Sequence, residues 1–493
     1  MPDKDEKKPQ EKKEEKPVVV DKLVESNHSI KIKGKEIKYT VTAGTMILKE
    51  ETTDREKEAE GEKPRAQIFF ISYTKDGVRD KSKRPLTFSF NGGPGSASVW
   101  LHLGVLGPRR VVMQEDGNLP PPPYKLTDNE FSLLDDTDLV FIDPMNTGYS
   151  RPVEGQKPKE WHGFKKDIES VGDFIRLYTT RNNRWLSPKF LIGESYGTTR
   201  ASGLSGFLQD RFGLYLNGIM LVSVVLDFTT LYFNINNDLP FILYLPGYTA
   251  TAWYHNVLIP HKPLQTWLKE AEEFAVGEYA SALLKGDALT KEERARIVER
   301  VSLYTGISKD FVERSNLRIN DQHFFKELLR ERGLTVGRLD SRFTGRDRLG
   351  VTETPEYDPL LTNITGPYMA TFYEYVRNEL KFESDLPYET LSGFVHPWSY
   401  ADFENQYVNV AETLRAAMTH NPYLKIFVAN GYYDLGTPYF ATEYTFNHLG
   451  LDESLRKNIS MEYYDAGHMM YIHIPSLRQM KTDLANFIKS AVA

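Results

Sequence analysis

A chain of 493 residues can hold one large α/β domain with an insertion, or two ordinary domains. Its net charge of -7 offers no electrostatic footprint for nucleic acid, and its 40% hydrophobic content is that of an ordinary globular protein. It has no cysteine, which excludes disulfides, thiolate catalysis and cysteine-ligated zinc or iron–sulfur centres.

Taken from the N-terminus, residues 1–26 mix Lys and Glu with Pro and lack an apolar run. They read as a disordered charged leader, not as a signal peptide. Such a leader often follows a cleaved export signal, so the expected location is periplasmic or secreted, with the cytoplasm as the alternative. SIKIKGKEIKYTVTAGTMILKE alternates apolar and polar residues and predicts a β-hairpin turning at Lys33-Gly34-Lys35. AQIFFISYTKDG predicts another strand. PLTFSF predicts a strand that ends at the sharp loop Asn91-Gly92-Gly93-Pro94-Gly95. DLVFID, residues 138–143, has the continuous apolar pattern of a buried strand. A helical pattern follows over 159–181, then the strand PKFLIG, a helix over 197–212 and the strand LNGIMLVSVVLDF. That last strand lies in the longest apolar run, 213–228, which is too short to span a membrane and is interrupted by Asn217. Near the C-terminus come two more strands, KIFVANG and SMEYYDAG, and a helix from residue 474.

Strands alternating with helices predict an α/β fold, with a mostly parallel sheet and helices on both faces. Residues 229–390 differ, with helical stretches such as LTKEERARIVERVSLY and Pro-rich connections. They are expected to be an inserted, mainly helical cap on a core formed by 27–228 and 391–493.

The chemistry centres on Gly193-Glu194-Ser195-Tyr196-Gly197, a G-x-S-x-G between a predicted strand and a predicted helix. That context suits a nucleophile elbow, in which Ser195 attacks from a strained turn. The bland alternative is a serine that merely caps the helix. A serine needs a base and an orienting acid, which in α/β hydrolases follow in the order Ser, Asp or Glu, His. Asp434 stands just past the strand KIFVANG, and His468 just past SMEYYDAG. Loops at the carboxyl edge of a parallel sheet are where such sites form. Asp465 and Asp143 are rival acids, and spacing alone excludes neither; Asp434 is preferred because it completes the strand-end order. The developing oxyanion needs backbone N–H donors. Tyr196 supplies one in an elbow, and Gly93 of the glycine-rich loop is the expected second. No HExxH, P-loop or dinucleotide fingerprint is present, so no metal or cofactor is expected.

Five motifs in order, FNGGPGSAS, the TGYS of DPMNTGYS, GESYG, GYYDLGTP and AGHMMY, resemble those of the serine carboxypeptidase family of α/β hydrolases. The resemblance implies Ser195 as nucleophile, His468 as base and Asp434 as orienting acid, with Gly93 and Tyr196 forming the oxyanion hole. It implies that Asn91, the Gly92 backbone and Glu194 bind the C-terminal carboxylate of a peptide. It also gives Glu194 a purpose beside a nucleophile. When protonated it can donate a hydrogen bond to that carboxylate, and when charged it repels it. Peptides with a free C-terminus are the implied substrates; an acyltransferase or esterase on the same scaffold, or a non-catalytic peptide binder, are the alternatives. Where many members place a second glutamate that shares a proton with Glu194, this chain has Val105. The like-charge pair that would raise the Glu194 pKa is therefore missing. Ser96 replaces the family's usual cysteine beside NGGPG, consistent with a disulfide-free branch of bacterial type.

Overall fold

The structure, a computed structural model, describes residues 19–51 and 61–492. The expected leader lies outside the described residues up to residue 18, and its last residues already belong to a strand. That strand, β1 (Lys22–Ile32), pairs antiparallel with β2 (Lys35–Glu51), so that Ile30 faces Ile37. The turn between them is Lys33-Gly34, with φ of 50° and 76°. Positive φ at both positions matches the twist of a tight hairpin, and glycine adopts it without steric cost.

Seven further strands complete the path of one sheet: β3 (Glu62–Lys75), β4 (Leu86–Phe90), β5 (Asp138–Ile142), β6 (Lys189–Ser195), β7 (Gly218–Val224), β8 (Lys425–Gly431) and β9 (Ile459–Tyr464). Their order is β1-β2-β3-β5-β4-β6-β7-β8-β9, with a short strand, Arg151–Pro152, beside β3. From β5 to β9 every pairing is parallel; β1 to β3 form an antiparallel extension that joins β5. Every residue of β4, β5 and β7 is buried, which is why these segments are rich in large apolar residues, with Thr87, Ser89, Asp138 and Ser223 as buried polar exceptions.

Successive side chains of a strand point to opposite faces. Phe190, Ile192, Met220 and Phe427 pack on one face against Leu484 and Phe487. Leu191, Ile219, Leu221 and Val428 pack on the other against Ile175 and Leu204. Helices α1 (Phe164–Arg181) and α2 (Tyr196–Phe212) cover that second face. Between β7 and β8 the chain builds a separate helical core. It includes α3 (Leu239–Tyr254) and α4 (Lys291–Thr305), with Tyr248, Trp267, Phe274, Val301 and Phe324 at its centre. Leu435, from the loop after β8, belongs to this core and ties it to the carboxyl edge of the sheet. The helix α5 (Pro359–Glu374) packs instead into the core of the sheet, through Leu360, Ile364 and Phe372. The last helix, α6 (Ile474–Val492), covers the first face. No helix among the described residues is long and apolar enough to cross a membrane.

Candidate active site

β6 runs directly into α2 with no intervening loop, and Ser195 is the joint. Its backbone, at φ 61° and ψ −130°, is neither strand nor helix. A non-glycine residue held there costs on the order of 1–3 kcal/mol and persists only where its surroundings leave no alternative. The surroundings here are crowded backbone. A Cβ on Gly193 would stand 2.1 Å from the Gly197 carbonyl oxygen, and one on Gly92 would stand 2.4 Å from the Tyr196 nitrogen. The loop after β4 therefore lies against the elbow. Gly93, at φ 101°, adopts a conformation that favours glycine. Thr198 closes the turn by donating to the Ser195 carbonyl at 2.7 Å.

His468 lies in the loop after β9 and is clamped on both sides. Its N–H donates to the Leu339 carbonyl at 2.6 Å, and its carbonyl accepts the Ser223 hydroxyl at 2.7 Å. Its Nδ1 meets Asp434 Oδ2 at 2.7 Å. A carboxylate can only accept, so Nδ1 carries the proton and Nε2 is left as the basic nitrogen. Asp434 is itself fixed. Oδ1 accepts the N–H groups of Gly436 and Thr437 at 2.8 and 3.0 Å, and Oδ2 also accepts the Thr437 hydroxyl at 2.7 Å. Burial alone would depress the His468 pKa. The facing Asp434 carboxylate outweighs it, and the imidazole pKa is raised.

The rival acids are employed elsewhere. Asp143 is buried and accepts Ser98 N–H, the Ser98 hydroxyl and the Tyr388 hydroxyl at 2.9, 2.8 and 3.1 Å. The Asp465 carbonyl accepts a guanidinium N–H of Arg342, and its side chain makes no hydrogen bond to His468. A further acid, Asp340, supports the histidine loop, accepting Gly467 N–H at 3.0 Å while paired with Arg342.

Glu194, the residue before Ser195, is 4% exposed and lines the same cleft as that serine. Asn91 Nδ2 donates to its Oε1 at 2.9 Å, and the Asn91 Oδ1 accepts Leu101 N–H at 3.2 Å, which fixes the amide orientation. Beneath them the Arg200 guanidinium donates to the Asn91 carbonyl at 2.5 Å and pairs with Asp167 at 2.8 Å. Glu194 Oε2 makes no hydrogen bond of good geometry, nor does the Tyr471 hydroxyl, which lies close beside Glu194 and Asn91 and is oriented to interact with both. Burial pushes the Glu194 pKa up to about 7, against the restraining influence of His468, Tyr471 and Asn91. The missing acid at Val105 is thus not needed to raise it. Val105 is wholly buried, in the segment His102–Leu106 whose Gly104 abuts Tyr471 and Tyr368. Desolvation here acts in place of a second carboxylate.

Ser195, His468, Glu194, Gly92 and Gly93 all line one cleft of about 300 Å³. Among the described residues no group of His, Asp and Glu is placed to hold a metal ion. Sequence reasoning missed Thr437, Asp340, Tyr471 and Arg338, which also lines the cleft. Thr437 could have been found, because Asp434-Leu435-Gly436-Thr437 has the composition of an Asp-headed turn. Tyr471 closes the AGHMMY motif and could have been found there, whereas Asp340 and Arg338 carry no local signal.

The family model described as serine carboxypeptidase matches residues 59–474. The chain belongs to the serine carboxypeptidase family. A 163-residue stretch is 34% identical to the pheromone-processing carboxypeptidase KEX1 of Saccharomyces cerevisiae, covering 31% of this chain and 20% of that relative's length. The crystal structure of Kex1(Δ)p, a prohormone-processing carboxypeptidase from the same yeast, superposes with a TM-score of 0.54 at 18% identity, over 92% of this chain and 91% of that one. At that identity the likeness establishes the fold, an α/β hydrolase.

Proposed function

We propose that this serine carboxypeptidase family member releases single residues from the C-termini of peptides through an acyl-enzyme on Ser195. The observation that carries the reading is the pairing, in one cleft, of the His468–Asp434 contact with a buried Glu194 carboxyl whose Oε1 is held by Asn91 and whose Oε2 is left unpaired. Attack at a carbonyl needs the first. Only recognition of a chain end gives a use to the second, so the pair favours the peptidase over an esterase or transferase.

In this reading His468 Nε2 takes the proton of the Ser195 hydroxyl as Oγ attacks the last peptide carbonyl. The oxyanion that forms accepts the N–H groups of Gly93 and Tyr196. His468 then gives its proton to the departing amine, the C–N bond breaks and an acyl ester on Ser195 remains. Water enters, His468 removes its proton, and hydroxide attack followed by return of the proton to Ser195 frees the shortened peptide. Asp434 holds the imidazole in the required tautomer and stabilises its protonated form. Neutral Glu194 and the Asn91 amide donate to the substrate carboxylate beside the Gly92 backbone. Residues 229–390 are read as the cap over this cleft.

The test is hydrolysis of an N-blocked dipeptide and of its C-terminal amide. The free acid should be the better substrate. Equal rates for acid and amide, or cleavage of simple esters alone, would overturn the assignment.

A further inference from the structure

The cleft around Ser195 contains one permanently cationic side chain, Arg338, which among the described residues makes no ion pair, although the Asp321 carboxylate lies near enough to feel its charge. Its backbone is firmly placed. The Arg338 carbonyl accepts Leu435 N–H at 3.0 Å, next to the catalytic aspartate's turn. The N–H groups of Arg338 and Leu339 both donate to Asp358 Oδ2, at 3.1 and 3.0 Å. Asp358 is the N-cap of α5, its Oδ1 accepting Leu360 N–H at 2.8 Å. The same helix brings Leu361 to the cleft and sets Tyr368 close to Glu194. Arg338 is therefore anchored to the helix whose Tyr368 lies close to Glu194.

Its guanidinium extends from that wall, with Nη1 3.3 Å from where a Cβ on Gly436 would lie. It makes no ion pair and no side-chain hydrogen bond among the described residues, although three carboxylates are near. Each is committed elsewhere: Asp434 to His468 and its own turn, Asp358 to the backbone, and Asp321 to Gln322. A guanidinium has five N–H donors and no acceptor, and matches a carboxylate in two parallel bonds. Around it the wall is apolar, with Leu339, Leu361 and Met469.

Resting on the chain-end reading above, we propose that Arg338 selects the side chain of the released residue and favours an acidic one, Asp or Glu. The apolar wall takes the short methylene stem, and the guanidinium takes the carboxylate. A lysine or arginine in the same place meets like charge.

The experiment compares kcat/KM for N-blocked dipeptides whose last residue is Glu, Gln, Leu or Lys, and for a second set with the same variation at the penultimate residue. Wild type, Arg338→Gln and Arg338→Glu are tested. Wild type should prefer a terminal Glu over Gln by about tenfold at low salt, and less as salt rises, since the site is open to solvent. Arg338→Gln should abolish the preference, and Arg338→Glu should turn it toward Lys. Because the Arg338 charge also lowers the His468 pKa, all substrates are compared on the pH plateau where His468 is neutral, and there cleavage of the terminal Leu substrate should change far less than that of terminal Glu in both variants. Equal wild-type rates for Glu and Gln would overturn the proposal. So would a charge preference that follows the penultimate residue or survives Arg338→Gln. If wild type cuts no free-acid dipeptide, terminal Leu included, the chain-end reading itself fails, and this proposal with it.

Discussion

His468 Nδ1 and Asp434 Oδ2 stand 2.7 Å apart, and the aspartate is held in place by two backbone N–H groups and the Thr437 hydroxyl. Asp434→Asn keeps the shape but can turn an N–H toward the imidazole, favouring the wrong tautomer. In the proposed mechanism kcat should fall by about 10⁴-fold. Steady-state kinetics with the thermal midpoint measured in parallel checks this. A fall below tenfold in a folded variant would remove Asp434 from its role.

Ser195→Ala should lose several orders of magnitude in kcat, because the variant has no oxygen on which to carry the acyl group. The same variant should no longer be labelled by a fluorophosphonate. Turnover at the wild-type rate would show that the nucleophile lies elsewhere.

Glu194 sets a limit on the alkaline side. Burial raises its pKa to about 7, so it is neutral and able to donate below that value and charged above it. KM for a peptide acid should climb as pH rises through about 7, while KM for the corresponding amide should not. Glu194→Gln, which cannot ionise, should flatten the rise. Stability gives an independent reading of the same shift. The folded pKa lies above the ordinary 4.5, so the unfolded chain releases this proton first. Wild type should lose stability as pH rises from 4.5 through 7. Glu194→Gln should accordingly gain in thermal midpoint relative to wild type at pH 8, with no such gain at pH 4. Parallel melting curves for the two proteins would refute the buried-acid account.

His468 must be neutral to act as a base, and its pKa is raised by Asp434. For an ester substrate with no free carboxylate, kcat/KM should rise with pH and level off above the ordinary histidine range. For a peptide acid the falling Glu194 limb is added, giving a bell. Identical profiles for the two substrates would separate Glu194 from binding.

Gly92→Ala places a methyl group 2.4 Å from the Tyr196 nitrogen, against backbone that cannot move without disturbing the elbow. Activity should be lost together with stability, visible as a lowered thermal midpoint. A soluble, fully active variant would mean that the loop after β4 has room the structure denies it.

Much of the fold was legible because short-range patterns encode it. Short, predominantly apolar segments marked the buried strands β4, β5, β6 and β7, and the alternation around Lys33-Gly34 marked the hairpin. The elbow was legible for the same reason, since Gly193 and Gly197 flank Ser195 within one turn and their crowding is local. Arg338 and Asp340 were not legible. They come from the loop of a short antiparallel hairpin, Thr335–Val336 with Thr344–Gly345, that has no motif, and they reach the cleft only because that loop folds back onto the loops after β8 and β9.

The sequence by itself determined the α/β class, the turn at Ser195 and the glycine-rich loop Asn91–Gly95, because each follows from residues near one another along the chain. Which carboxylate meets His468 was decided only by the tertiary structure. Asp143, Asp434 and Asp465 all follow strands of one sheet, and only packing sends the first to Ser98 and Tyr388 and the second to the imidazole. The same holds for the charge of Glu194. Its pKa depends on how completely Asn91, Tyr368 and Tyr471 exclude water around it, and desolvation is a property of three-dimensional burial that no local pattern of residues contains.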